Sequence, residues 1–349
     1  MLDQHELLHT GRILVKTWST SKSIIADLLV SLIPQQTSWG SLRVSSHALR
    51  LILASHHVFI PFLDFVQAYG SKRHADQHSW SEARWKVSQR PVDGDNRQVH
   101  GKNFPQVLVC RSVNWPVNVE FCYNLQYVEL NGRSEGVPWS LRQCAVYQQV
   151  CLKTQRSSWI LLHVSTRMRA TLNQALRSKI YKNAYLKVDF MLPHMIFLSA
   201  MAGNWQNYLE YLRSQLAFFV SSLPRLTPWG SHWLGSMEDE KACFSSIDRS
   251  FSHDYSVTFL DSQNLQLFRQ KLLRTSTILD SCLNVVKDCE AHCRKLIASK
   301  VMNIGEHCLI EITIYTRQIH YHRRELRRII QYSSRTSKLI RFHLWRLYF

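Results

Sequence analysis

The fold is decided by the stretch Pro138-Trp139-Ser140-Leu141-Arg142-Gln143 and by the residues that run on from it to Val164. This stretch predicts two strands, Leu141–Leu152 and Ser158–Val164, which are joined by the polar turn Lys153-Thr154-Gln155-Arg156. The second strand is apolar nearly throughout, as expected of a strand that is covered on both faces.

A helix start follows the second strand at once. Ser165 or Thr166 is placed to cap this helix, and the next apolar side chains share one stripe, Met168, Leu172 and Leu176. The order strand, turn, strand, helix is typical of an α/β domain. No catalytic motif is embedded in this region, so it predicts an architecture and not an activity.

An earlier strand is indicated by the alternation of residues 117–127. One side of the strand would carry Val117, Val119, Phe121, Tyr123, Leu125 and Tyr127. The other side would carry Asn118, Glu120, Asn124 and Gln126. Strict alternation predicts a half-buried strand with one face in water.

The rest of the N-terminal part divides by composition and periodicity. Residues 1–42 lack clear periodicity and predict a poorly structured lead-in. Residues 43–71 predict helix with an interruption at Pro61, and Pro91–Gly101 predicts an exposed loop. Helices are also predicted at Leu192–Met201 and Trp205–Val220, with a loop over residues 224–240.

The pattern changes from Asp261 onward. Apolar positions recur at spacings of three and four, in the order Leu265, Phe268, Leu272, Thr275, Leu279, Cys282, Val286, Cys289, Cys293 and Leu296. Such a seam predicts one long helix that packs against another helix, in a coiled coil or a bundle. A second helix is predicted from Glu306 past Tyr332, with the turn between the two helices near Gly305.

Composition and charge limit the class of protein. The chain has 349 residues, 45% of them hydrophobic, and a formal net charge of +18. This charge indicates anionic partners such as nucleic acid, phosphates or an acidic membrane surface. The nine cysteines have no regular spacing and favour reduced thiols in the cytoplasm. The most apolar segment, Val188–Ala202, is too short and too polar to span a bilayer.

Two patterns could indicate metal chemistry, and both have a simpler explanation. His5-Glu6-Leu7-Leu8-His9 has the H-E-x-x-H form of zinc metallopeptidases, but the extended pattern would need Gly and His where Arg12 and Val15 stand. Cys289, His292 and Cys293 are close together along the helix predicted from Asp261, but Cys282, Cys289 and Cys293 fall on its seam, where a thiol is a packing residue.

No other pattern indicates chemistry. His320 and His322 are two residues apart, so they cannot share a site on a helix. The sequence has no dinucleotide-binding, P-loop or nucleophile-elbow motif. We therefore predict no catalytic, cofactor-binding or metal-ligating residue, no small-molecule substrate and no enzymatic activity.

The C-terminal segment is strongly basic. From Arg317 to Phe349 there are nine Lys or Arg residues and one acid, Glu325, with aromatic residues interleaved. The segment is consistent with a solvated basic helix face, with phosphate-backbone binding or with a cytoplasmic segment beside a membrane. No recognisable nucleic-acid-binding module surrounds it, so nucleic acid is not the favoured partner.

Several segments along the chain form a recognisable series, namely Pro138–Gln143 with the following Val146-Tyr147, then Arg156–Leu162, Ala202–Trp205, His253–Phe259 and Thr316–Arg324. These segments, in this order, resemble the soluble part of fungal CorA-like transporter-domain proteins. The resemblance covers residues 43–340. It implies an α/β domain on the cytosolic side that feeds a stalk helix, in a pentamer that conducts magnesium or another divalent ion through a membrane pore.

The chain departs from this family at the pore. It has no Gly-Met-Asn sequence and no pair of apolar helices after the predicted stalk. We therefore expect a truncated or mis-spliced product or a soluble paralogue, which would not conduct ions alone because a pore must satisfy its backbone hydrogen bonds in lipid. No pore residue can be assigned.

The predicted fold class is α+β or α/β, with a mixed sheet and flanking helices followed by long stalk-like helices. Its predicted regions are the lead-in at 1–42, the CorA-like domain at 43–258 and the basic helical region at 259–349. The predicted function is the soluble, cytoplasmic portion of a CorA-like metal-ion transporter. The alternative is a basic interaction protein that binds nucleic acid or an acidic membrane surface through residues 317–349.

Overall fold

A computed structural model of the chain describes residues 3–6, 14–19, 28–35, 40–70, 81–89, 98–99, 117–151, 157–182, 191–222, 258–298 and 306–348. The chain forms two compact units. The sheet unit consists of Met1–Asn204 and Asp280–His320, and the helical unit consists of Trp205–Leu279 and Tyr321–Phe349. This division does not follow the boundary between residues 258 and 259, which stays a prediction about domains.

Within the described residues, the sheet unit is built on eight strands in the order β1-β2-β3-β8-β7-β6-β4-β5. Neighbouring strands are antiparallel, except that β3 and β8 are parallel. The strands are β1 Asp3–Glu6, β2 Leu14–Ser19, β3 Leu28–Ile33, β4 Ala83–Gln89, β5 Gln98–Val99, β6 Val117–Leu130, β7 Trp139–Cys151 and β8 Ser157–Leu162. The mixed sheet and the β7–β8 hairpin confirm the predicted architecture.

The expectation of a poorly structured lead-in at 1–42 is wrong for its strands. Leu28–Ile33 runs parallel to β8, and its residues Val30 and Ile33 are buried. The predicted loop Pro91–Gly101 likewise contains β5, which pairs with β4. Leu28–Ile33 pairs with β8, which lies more than a hundred residues further along the chain, and β5 is only two residues long. Local patterns therefore reveal neither strand.

Two short helices cover the first face of the sheet. They are α1, Ser46–Ser55, and α2, Phe62–Gln67, so the predicted interruption at Pro61 is confirmed. The side chain of Ser45 caps α1 by accepting a hydrogen bond of 3.2 Å from the amide of Ala48. The core beneath these helices consists of Ile33, Phe59, Phe62, Phe65, Ala68, Tyr69, Cys122, Ala145, Tyr147, Ile160 and Leu162.

The prediction that β6 is half-buried is wrong, because both of its faces are covered. The polar row includes Glu120, Asn124 and Gln126, which are buried as fully as the apolar row. Alternation of polar and apolar residues predicts a solvent-exposed polar face only when the polar side chains have no hydrogen-bond partners inside the protein. In β6, Glu120 and Asn124 have such partners.

Longer helices follow the hairpin in the sheet unit. Ser165 caps α3, Thr166–Lys182, with its hydroxyl oxygen 3.2 Å from the amide nitrogen of Met168. The helix α4, Leu192–Gly203, contributes a nearly continuous set of buried side chains, Pro193, His194, Met195, Phe197, Leu198, Met201 and Ala202. These two helices confirm the predicted helix start and the predicted helix at Leu192–Met201.

The three longest described helices are α5, Trp205–Ser222, α6, Phe259–Ala298, and α7, Glu306–Tyr348. They confirm the predicted long C-terminal helices. The seam positions of α6 are buried from Leu265 to Cys293, as its three-and-four spacing predicts. The predicted turn near Gly305 lies outside the described residues. Among the described helices, none is long and apolar enough to cross a membrane.

Contacts within the helical unit join all three helices. The ring of Phe219 on α5 lies 5.8 Å from that of Phe268 on α6, and Lys271 lies over the ring of Tyr211 at 5.3 Å. These two contacts place α5 and α6 antiparallel. Gln266 of α6 donates a 3.1 Å hydrogen bond to the hydroxyl of Ser337 on α7.

Candidate functional site

A buried carboxyl group holds the first face of the sheet to its covering helices. One oxygen of Glu120, Oε2, accepts hydrogen bonds from the Tyr147 hydroxyl at 2.6 Å and from the Phe59 amide at 3.2 Å. Phe59 lies between α1 and α2, so the carboxyl joins two strands to the segment between these helices. Hydrogen bonds to a carboxylate are about twice as strong as those between neutral groups.

Two more polar residues of the same face bind the end of α2. The Tyr69 hydroxyl donates to Asn124 Oδ1 at 3.2 Å, and the side-chain amide of Gln143 donates to the Ala68 carbonyl at 3.1 Å. The polar row of β6 and β7 is therefore a set of internal attachment points.

The opposite face of the sheet contains a cluster that we call the histidine layer: His194, His292, Phe121, Tyr123, Gln148 and Trp159. His194 comes from α4 and is fully buried. Its Nδ1 lies 2.9 Å from the Tyr123 hydroxyl, and its Nε2 lies 2.7 Å from Gln148 Oε1. Because Gln148 Oε1 can only accept, Nε2 carries the proton and Nδ1 accepts from Tyr123.

The second histidine of this layer comes from α6. His292 stacks on Phe121 with ring centroids 4.5 Å apart and planes 8° apart. The ring of His194 meets Trp159 at 4.8 Å and Phe121 at 5.5 Å. The layer thus brings two helices onto one sheet face through aromatic contacts and hydrogen bonds.

Burial, and to a lesser degree the nearby His292, lowers the pKa of His194 to about 3. The imidazole therefore stays neutral at physiological pH, which lets Nδ1 accept the hydrogen bond from the Tyr123 hydroxyl. The arrangement serves to position α4 and α6 on the sheet.

The H-E-x-x-H pattern does not lie on a helix where the structure describes it. His5 and Glu6 belong to β1, which pairs with β2, and His9 lies outside the described residues. Metallopeptidases need this motif on a helix, where the two histidines lie one turn apart. Neighbouring residues of a strand point to opposite faces instead, so this geometry contradicts the zinc-site interpretation.

The cysteines of α6 lie inside the sheet unit. Cys282, Cys289 and Cys293 are fully buried, and the Cys282 thiol donates to the Gln126 carbonyl at 3.0 Å. Burial raises the pKa of Cys282 to about 12, which keeps it a thiol. Among the described residues, no three His, Cys, Asp or Glu side chains are grouped to hold a metal ion.

Two histidines of α7 differ in burial, as their spacing predicts. His320 is exposed and His322 is buried. Two residues along a helix turn the side chain by about 200°, which places these rings on opposite sides. They form no joint site. That the chain has no catalytic, cofactor-binding or metal-ligating residue stays a prediction.

One surface of α7 combines positive charge with large apolar side chains. We call it the basic–aromatic face and define it by Tyr321, Arg324, Arg335, Lys338, Leu339, Phe342 and Trp345, all of them exposed. The nearby acid, Glu325, is buried and binds Arg213 at 3.0 Å and Arg328 at 2.7 Å. The face therefore carries exposed cations, whereas the one acid of this segment is buried.

The sequence reading missed the histidine layer and the Glu120 network. A signal existed for His194, because a polar residue inside an apolar helix that is buried all round must have hydrogen-bond partners. Its neighbours Met195, Phe197 and Leu198 are all buried. Which partners it takes depends on β6 and β7, and no local pattern contains that information.

Comparison with known proteins gives the family. The family model described as CorA-like transporters matches residues 31–221, more than half of the chain. No curated protein matches the sequence. The solved structure of the CorA magnesium transporter from Methanocaldococcus jannaschii matches with a TM-score of 0.39 and 8% identity, covering 94% of this chain and 72% of that one. That structural likeness is too weak to carry an argument, whereas the family match is extensive. The chain belongs to the CorA-like transporter family.

Proposed function

We propose that this chain acts in the transport of divalent metal ions, with magnesium as the first candidate ion. The observation that carries the proposal is the family match over residues 31–221. The matched part contains most of the sheet, the Glu120 network and His194 of the histidine layer. A domain held together by internal hydrogen bonds is suited to a structural part of a transporter.

We also propose that the chain works as a homo-oligomer on the cytosolic side of a membrane, a pentamer by the family resemblance. Two leucines on one side of α6 support an assembly. Leu260 and Leu267 are one heptad apart, and both are more than half exposed. Exposed apolar side chains on one helix stripe are typical of a surface that another subunit covers. A fungal source and the lack of enzymatic activity stay predictions.

Ion uptake by cells tests the transport proposal. Because the chain is not expected to conduct ions alone, it is expressed in cells that have a membrane-spanning CorA-type transporter of their own. The cells are loaded with a magnesium-sensitive dye, and external magnesium is then raised. We expect the chain to change the rate of the dye response, whereas Leu272→Asp, whose core is disrupted, should leave that rate unchanged and Leu273→Asp should behave like the unchanged chain. Repeating the measurement with cobalt or nickel in place of magnesium tests which ion is transported. Equal uptake of all three ions in every strain would contradict the proposal.

Light scattering after size-exclusion chromatography tests the assembly. The single chain has a mass of 41.0 kDa, so an oligomer appears as a multiple of that mass. We expect the double change Leu260→Ser and Leu267→Ser to shift the population toward the single chain without unfolding it. A mass of one chain at every concentration would refute the assembly and leave the ion proposal to the uptake measurement.

A further inference from the structure

The last turns of α7 place cations and large apolar groups on one side of a helix. Arg335, Leu339 and Phe342 are spaced by four and three residues, so they share a side. Lys338 and Trp345 flank them on that side. Leu339, Phe342 and Trp345 are 42%, 56% and 62% exposed. Exposed groups of this size cost free energy in water unless something covers them.

The charge of this segment has one sign. Between Tyr321 and Tyr348 the sequence has eight Lys or Arg residues and one acid, the buried Glu325. The described acids elsewhere in the helical unit are engaged. Glu210 pairs with Arg213 at 2.5 Å, and Asp261 accepts from the Thr258 amide at 2.9 Å. The basic–aromatic face therefore favours an anionic partner.

We propose that the basic–aromatic face binds the surface of an anionic lipid bilayer. Its cations would meet lipid phosphates and carboxylates, while Leu339, Phe342 and Trp345 would enter the boundary between headgroups and acyl chains. Helices with a cationic side and adjacent Trp, Phe and Leu residues bind membrane surfaces in this way. Tryptophan is enriched at this depth because its ring is apolar and its N–H is polar.

Two other occupants fit the face less well. Single-stranded nucleic acid would match the cations and could stack on aromatic rings, but it offers no apolar environment for Leu339. A second copy of the same face would bring like charges together, which opposes association. A bilayer satisfies both the charge and the apolar side chains. The proposal goes beyond ion transport and does not depend on it.

Sedimentation with lipid vesicles tests the proposal on the full chain. Vesicles of phosphatidylcholine are compared with vesicles that contain about 30% phosphatidylserine, at about 0.1 M salt. We expect at least tenfold stronger binding to the anionic vesicles and a marked loss at higher salt. Removing one cation of the face by Lys338→Gln or Arg335→Gln should weaken binding about fivefold.

A variant of the apolar side chains tests whether they contribute to vesicle binding without affecting folding. Phe342→Ser with Trp345→Ser should weaken vesicle binding at least tenfold and leave the thermal melting curve unchanged. The matched controls, Leu51→Ser with Ile60→Ser and Arg50→Gln, change exposed residues of the sheet unit and should bind normally. Equal binding to both vesicle types, or normal binding by the Phe342 and Trp345 variant, would overturn the proposal. Tight binding of single-stranded RNA without vesicle binding would overturn it in favour of nucleic acid.

Discussion

The sheet unit and the helical unit of this chain differ in how polar residues take part in their packing. In the sheet unit, Glu120, Asn124 and His194 are buried and hydrogen-bonded to residues of other elements. In the helical unit, the α6 seam is apolar apart from Thr275, whereas on α7 the acid Glu325 is buried and Arg324, Arg335 and Lys338 are exposed. The first unit should therefore be sensitive to the loss of one hydrogen-bond partner and to acid, and the second to a charge placed in its seam.

The largest expected effect tests the seam of the helical unit. Leu272 is fully buried on α6, whereas its neighbour Leu273 is 54% exposed. Leu272→Asp should lower the free energy of unfolding by several kcal/mol, because it buries an unpaired charge, on the order of 3–5 kcal/mol. Urea unfolding followed by circular dichroism measures the change.

The matched control is Leu273→Asp, which adds the same charge one residue away on the exposed side. It should change the free energy of unfolding by about half a kcal/mol or less. Equal losses in the two variants would show that burial does not distinguish these positions, and the seam described here would be wrong.

A smaller effect tests the hydrogen bonds of the sheet unit. Tyr147→Phe removes the 2.6 Å hydrogen bond to Glu120 and leaves the carboxyl with the Phe59 amide alone. We expect a loss of about 2 kcal/mol, typical of a buried hydrogen bond to a carboxyl group. Tyr321→Phe removes an exposed hydroxyl and should cost almost nothing. If denaturant titrations give both variants the same stability, the Glu120 network does not stabilise the sheet unit.

The pH dependence of stability tests the histidine layer. The pKa of His194 is lowered from 6.5 to about 3, so between these values the unfolded chain binds one proton more than the folded chain. This histidine therefore makes the folded state less stable as the pH falls below about 6.5, by about 1.4 kcal/mol per pH unit.

His194→Gln should remove that part of the slope between about pH 6 and pH 4 while lowering stability at neutral pH. His47→Gln is the control, because His47 is exposed on α1 and its side chain stays in water in both states. Parallel stability curves for the unchanged chain and His194→Gln would contradict a buried neutral imidazole.

The smallest expected effects concern surface charges in both units. Arg328 of α7 pairs with Glu325 at 2.7 Å, but its side chain is 59% exposed and Glu325 keeps Arg213. Arg328→Gln should cost about half a kcal/mol or less, as should Lys287→Ala on the part of α6 in the sheet unit. A decrease of more than about 2 kcal/mol in the free energy of unfolding of either variant would show that these surface charges stabilise the fold. It would also weaken the contrast between the two units.

The sequence by itself predicted the elements whose cause is local. The hairpin of β7 and β8, the helix start at Ser165 or Thr166 and the seam of α6 all follow from spacings within a few turns or a few strand residues. The family resemblance likewise rests on short segments, which lie between Pro138 and Arg324. These features depend on side chains that are close along the chain, so their periodicity is visible in the sequence.

Only the tertiary structure decided which distant segments meet. The pairing of Leu28–Ile33 with β8 and the stacking of His292 on Phe121 each join residues more than a hundred positions apart. A polar row such as that of Glu120 has the same pattern whether it faces water or internal hydrogen-bond donors. Periodicity records the side of an element on which a residue lies, whereas burial depends on what the rest of the chain packs against that side.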